Sequence, residues 1–69
     1  MPATTLYRIE ACNPNRNLDW FTVHGFQGAE RRQRVIETAR SMRQHMDDDF
    51  VIRVLERTGA EDADVIWKE

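Results

Sequence analysis

Phe50-Val51-Ile52-Arg53-Val54-Leu55-Glu56-Arg57 is the stretch that decides the fold. In an extended chain Phe50, Ile52 and Val54 share one side, and Val51, Arg53, Leu55 and Arg57 share the other. Val51, Ile52 and Val54 are β-branched and Phe50 is aromatic, types favoured in strands half-buried on a pleated surface. One side is apolar up to Val54 and closes on Glu56, and the other mixes aliphatic groups with arginines. The segment therefore predicts a strand in a sheet with one dry face and one mixed face.

Upstream, the spacing predicts a helix from about Ala29 to Met46. Val35, Ala39, Met42 and Met46 follow one another at intervals of 4, 3 and 4, with Ile36 on the flank, forming one apolar stripe on a charged cylinder. Glu30 and Arg34 stand at i,i+4 in the favourable order. Gly25-Phe26-Gln27-Gly28 reads as the joint between a strand and this helix. Downstream, Thr58–Ala63 is a polar loop containing Gly59, and Asp64–Lys68 a short closing strand. There Val65 and Trp67 are expected on one side and Ile66 on the other.

The N-terminal third reads as a hairpin. Thr4–Cys12 alternates Tyr7, Ile9 and Ala11 with Arg8 and Glu10. Asn13-Pro14-Asn15-Arg16-Asn17 is dense in turn formers. Leu18–His24 then sets Phe21 and Val23 against Trp20, Thr22 and His24. The expected fold is α+β: a small four-stranded antiparallel sheet with one helix packed on one face, order ββαββ, in a single domain over residues 1–69. Antiparallel hairpins flanking the helix suggest the spatial order 2-1-3-4.

The two sheet faces then differ. Tyr7, Ile9, Phe21, Val23, Phe50, Ile52, Val54 and Trp67 are expected to meet Val35, Ile36, Ala39 and Met42 as the core. The second face would carry Leu6, Trp20, Val51, Leu55 and Ile66 among Arg8, Glu10, Thr22, His24 and Arg53. Antiparallel sheets tolerate a wet, mixed face, and scattered exposed apolar residues are ordinary. Clustered ones, with tryptophan and arginine among them, favour a binding or dimerisation surface.

Composition narrows the classes. Sixty-nine residues carry twelve acids against ten bases, a formal net charge of -2. That balance argues against nonspecific nucleic-acid binding, which shows a basic excess or a concentrated basic face. Nine of the bases are arginine and only Lys68 is lysine, a bias that genome composition alone accounts for. The single Cys12 fits a reducing interior. Met1–Ala11 does not read as a signal peptide and no apolar run reaches membrane length, so a cytoplasmic location without membrane partners is expected.

Candidate chemistry is sparse. Asp47-Asp48-Asp49 stands at the expected helix end, where negative charge opposes the macrodipole. It reads first as a solvated helix stop helped by Arg43, and second as an acidic patch, joined by Glu61, Asp62 and Asp64, for a basic partner. The spaced ligands and glycine of a calcium loop are absent. Arg32, Arg40 and Arg43 on one helix flank are the candidates for nucleic-acid contact, and Trp20 on the open face could stack a base beside Arg8 or Arg53. Cys12 and His24 become neighbours if the hairpin pairs them, a thiol–imidazole arrangement without a third group. His45 reads as a surface residue. No metal-ligand spacing, Walker loop or dinucleotide fingerprint occurs, so neither a cofactor nor catalysis is expected.

In size and element order the chain resembles the accessory and inhibitor proteins carried by bacterial viruses and mobile elements. Anti-CRISPR proteins are among those that work by occluding a host complex. The resemblance implies a noncatalytic role and transfers no residue. The reading that joins these strands is a small protein-binding module acting by surface occupation, through Trp20, Val51, Arg53 and Leu55, with Asp47, Asp48 and Asp49 as a second candidate surface. Its occupant is a protein partner or a second copy. The alternative is a nucleic-acid-binding domain using the helix arginines and the open sheet face.

Overall fold

In a computed structural model, which describes residues 4–26 and 31–69, the hairpin–helix–hairpin order is present. The strands are β1 (Thr5–Asn13), β2 (Leu18–Phe26), β3 (Val51–Thr58) and β4 (Asp64–Lys68), with helix α1 (Arg32–Gln44) between β2 and β3. They form one antiparallel sheet in the order β2-β1-β3-β4. The expected start of the helix at Ala29 and Glu30, and the Gln27–Gly28 part of the joint, lie outside the described residues. Gly25 and Phe26 belong to β2. None of the helices among the described residues is long and apolar enough to cross a membrane.

The β1–β2 turn is built by local chemistry. Pro14 opens a 3-10 turn, Pro14–Arg16, where its missing N–H costs nothing. Asn17 then takes the left-handed conformation at φ 57° and returns its N–H to the Pro14 carbonyl. Asparagine tolerates that region better than most side chains. At the β3–β4 turn Gly59 holds φ 62° and donates to the Thr4 carbonyl, which fastens the turn to the start of β1.

The core is small. Ile9, Val35, Ala39, Ile52 and Val54 are wholly buried, with Tyr7, Met42, Met46, Ile66 and Trp67 packed around them. Helix α1 lies over β1 and β3. A helix is about 10 Å across and strands are about 4.8 Å apart, so one helix shelters roughly two strands. The outer strand β2 consequently projects beyond it.

Expectations for Phe21 and Val23, for Phe50 and for Ile66 are corrected. Phe21 and Val23, expected in the core, are 40% and 36% exposed, and Leu18 beside them is also exposed. Phe50 is only partly buried and lies under the Arg16 guanidinium rather than in the central cluster. Ile36 is partly buried, flanking the stripe as expected, outside the central cluster. On the other edge, a bulge in β4 sets Trp67 opposite Val54 and Val65 opposite Leu55. The extra residue, Ile66, is therefore not on the open face; it packs with Trp67 against the core, and Val65 takes the open position.

Bulges also interrupt β2, between the partners of Ile9 and Glu10 and between those of Ala11 and Asn13. Each adds twist to this edge strand, which hinders a neighbouring strand from pairing along it.

Candidate functional site

The face that α1 does not cover has two ends of different character. At one end, Glu10 of β1 faces Arg53 of β3. The Arg53 Nε and Nη2 both donate to Glu10 Oε1, at 2.9 and 2.7 Å. Arg8 approaches the other carboxylate oxygen at 3.5 Å. The Arg53 guanidinium lies 3.8 Å from the centre of the Trp20 ring, and Lys68 reaches the same ring from 6.0 Å. A guanidinium that both pairs with a carboxylate and stacks on an indole is held on its edge and its flat side at once. The arrangement leaves Glu10 only 8% exposed, with Cys12 buried nearby.

At the other end the face is open. Leu6 pairs with Arg57, and Arg8 with Leu55. Gly25 stands opposite Arg8 on the β2 side, and a Cβ added there would meet nothing within 4 Å. With the β3–β4 turn as a wall, these residues line a hollow of about 410 Å³. That volume lies in the range of ligand pockets, roughly 300–1,000 Å³. Arg57 is exposed and makes no ion pair with any described residue. Val65, opposite Leu55, is 48% exposed.

The structure therefore divides the sequence-predicted surface. Trp20, Arg53 and Val51 gather at the closed end, where Trp20 and Arg53 already occupy each other. Leu55 belongs to the open end. Arg57, Gly25, Leu6 and Val65 were not among the candidates. Alternation along β3 and β1 placed Arg57 and Leu6 on this face, but only the strand register shows that they adjoin, and only the β4 bulge brings Val65 there.

The acidic residues do not form one patch. Asp47 and Asp49 are ion-paired to Arg16 of the β1–β2 turn, at 3.0 and 3.6 Å. Glu61 and Asp62 line the hollow beyond the far end of β3, an eight-residue strand, a separation on the order of 25 Å. Arg43, expected to help Asp47, instead donates to the Asp48 carbonyl at 3.4 Å.

The helix arginines are likewise separated. Arg32 is fastened to Glu56 by two hydrogen bonds, Nε to Oε2 at 3.1 Å and Nη2 to Oε1 at 2.9 Å. Arg40 and Arg43 stand about two and three turns away, beside a second hollow shared with Asp48 and Glu69. Arg32 and then Tyr7 hold the Glu56 carboxyl below its ordinary value. Burial first, and Glu56 second, hold the Tyr7 phenol above its own. Tyr7, Glu56 and Arg32 thus join β1, β3 and the first turn of α1, which has no side-chain cap.

Cys12 and His24 do not meet. His24 pairs with Ile9, three residues from Cys12, which places it on the helix side of the sheet rather than beside Trp20 and Thr22. His45 is exposed and its Nδ1 lies 2.8 Å from the Ser41 carbonyl. Among the described residues no three His, Cys, Asp or Glu side chains are grouped as a metal site.

No protein family, curated protein or solved structure matches this chain.

Proposed function

We propose that the chain is a noncatalytic protein-binding module that docks through the open end of its uncovered sheet face and acts by occupying a partner's surface. The observation behind this reading is the hollow: Leu6 and Leu55 form its aliphatic floor beside Arg57, which makes no ion pair among the described residues. An aliphatic centre with arginine at its edge is the composition of protein interfaces. Occlusion of a host complex, as an accessory or inhibitor protein of bacterial or phage origin, is the mode of action that size and element order suggest. A homodimer would use the same face.

The test is comparative capture of proteins from extract of the source organism. Wild type, Leu55→Asp and Arg40→Glu are immobilised side by side, each first shown to melt cooperatively. A protein held by wild type and Arg40→Glu but lost with Leu55→Asp supports the reading. Equal capture by all three, or loss only with Arg40→Glu, contradicts it. Sedimentation of the same samples separates a second copy from a foreign partner.

The alternative, nucleic-acid binding, draws on the helix arginines Arg32, Arg40 and Arg43 together with the open sheet face, where Arg8, Arg53, Arg57 and Lys68 stand. It is weakened by Arg53 covering one side of the Trp20 ring and by Glu56 engaging Arg32. A steep loss of nucleic-acid affinity with salt would favour it.

A further inference from the structure

We propose that the hollow between the β1–β3 end of the open face and the β3–β4 turn seats an apolar side chain carried on an acidic segment of the partner. The inference rests on the protein-binding reading above and gives that partner its chemistry.

Charge carries the argument. The chain has a net charge of -2, yet strand register puts Arg8, Arg53, Arg57 and Lys68 on the open face with Glu10 as the one carboxylate paired among them. Glu10 is already taken by two arginines. Apart from Glu61 and Asp62 of the turn that walls the hollow, the strands of this face thus form a cationic strip on an acidic molecule, and complementary potential is what steers and orients a protein partner. A polyanion with no apolar part meets the same cations, so charge alone does not choose. The floor does. Leu6, Leu55 and the adjoining Val65 are aliphatic, and Tyr7, the one aromatic residue lining the hollow, packs its side chain against the core, so the floor offers no open ring for a base to stack on, whereas aliphatic floors receive apolar anchor residues.

The acids of the β3–β4 turn give the segment a direction. Glu61 and Asp62 line the outer wall of the hollow. Carboxylates of the partner would be repelled there and attracted along the sheet, toward Arg8 and Lys68. The anchor therefore enters at the turn, and the acidic flank runs over β1 and β3. Removing the turn acids should strengthen binding, as few surface substitutions do.

The test uses three probes on the full chain at low and moderate salt: a random glutamate–tyrosine copolymer, polyglutamate, and polyuridylate. Binding is followed by chemical-shift changes of the Leu6 and Leu55 methyls. The copolymer is expected to bind and shift both methyls, polyglutamate to bind at least about tenfold more weakly, and polyuridylate more weakly still. Arg57→Glu should weaken the copolymer about tenfold, and the Glu61→Gln, Asp62→Asn double variant should tighten it. Equal binding of copolymer and polyglutamate removes the apolar seat. Tighter binding of polyuridylate makes the face a nucleic-acid surface. No binding, or shifts confined to the Arg40–Arg43 side, overturns the proposal. If protein capture still depends on Leu55 when the copolymer fails, the docking face stands and only its assigned chemistry falls; if capture is also indifferent to Leu55, both fall.

Discussion

The two ends of the uncovered face start from the same ingredients, arginine beside apolar side chains, and use them differently. Around Trp20 the charges are consumed: Arg53 is bonded to Glu10 and covered by the indole, and Glu10 is nearly dry. Around Leu55 they are not: Arg57 stands exposed above an aliphatic hollow. The difference shows how to separate a residue that stabilises a sheet from one that waits for a partner. Residue type does not distinguish Arg53 from Arg57, but an ion pair with a carboxylate does: Arg53 forms one, and Arg57 forms none with a described residue.

The largest effect expected from breaking this contrast is at Arg53. Arg53→Ala strips the main counter-charge from a carboxylate that has little water, and should cost about 2–3 kcal/mol, read by urea or thermal unfolding. For a chain of this length that is roughly a 10–20 °C fall in midpoint. A loss below about half a kcal/mol would mean that Glu10 is well solvated and that the closed end is not closed.

Trp20→Ala should come next, at about 1–2 kcal/mol, because it uncovers the guanidinium without removing it. The fold should remain cooperative. A complete loss of folding would place Trp20 in the core, contrary to its stacking on the outer side.

Arg57→Ala sharpens the comparison from the other end. Stability should stay within about half a kcal/mol, as for surface substitutions without partners, while partner capture falls. Changing Asp47, Asp48 and Asp49 together to Asn removes only exposed or partly exposed pairs with Arg16, so a change under about 1 kcal/mol is expected. A larger loss would make the Arg16 contacts a principal brace between the hairpin turn and the helix end.

A pH experiment probes the brace on the helix side. Glu56 is held below its ordinary value, so the folded state favours its ionised form. That contribution is present above the ordinary carboxylate range and is lost as pH falls through the depressed value. Glu56→Gln should therefore lower stability at neutral pH and lose less on acidification than wild type. An unchanged acid slope would show that the Arg32–Glu56 pair adds nothing to folding.

The sequence made the framework legible because period and punctuation agreed. Alternation in Phe50–Arg57, the 4, 3, 4 stripe from Val35 to Met46 and the Asn-Pro turn each pointed to one element, and together they implied the strand order. The faces were less legible. Strict alternation misplaced Val23, His24 and Ile66, since bulges shift the side-chain register by one residue, and it put Phe21 on the right side but under a cover that is not there. The width of one helix, not any property of Phe21, leaves β2 unsheltered. For the site, Trp20, Arg53 and Leu55 were visible as a set, but their division into a closed cluster and an open hollow depends on cross-strand partners. Arg57 and Gly25 become meaningful only when Leu6 and Arg8 are known to stand opposite them.

The most direct test is the paired behaviour of Arg53→Ala and Arg57→Ala in one assay that records melting midpoint and partner capture on the same samples. The account predicts a crossed result: the first variant melts early, while the second melts like wild type and captures less. If Arg57→Ala captures as well as wild type, or if Arg53→Ala leaves the midpoint where it was, the division of the face into a brace and a docking end is wrong.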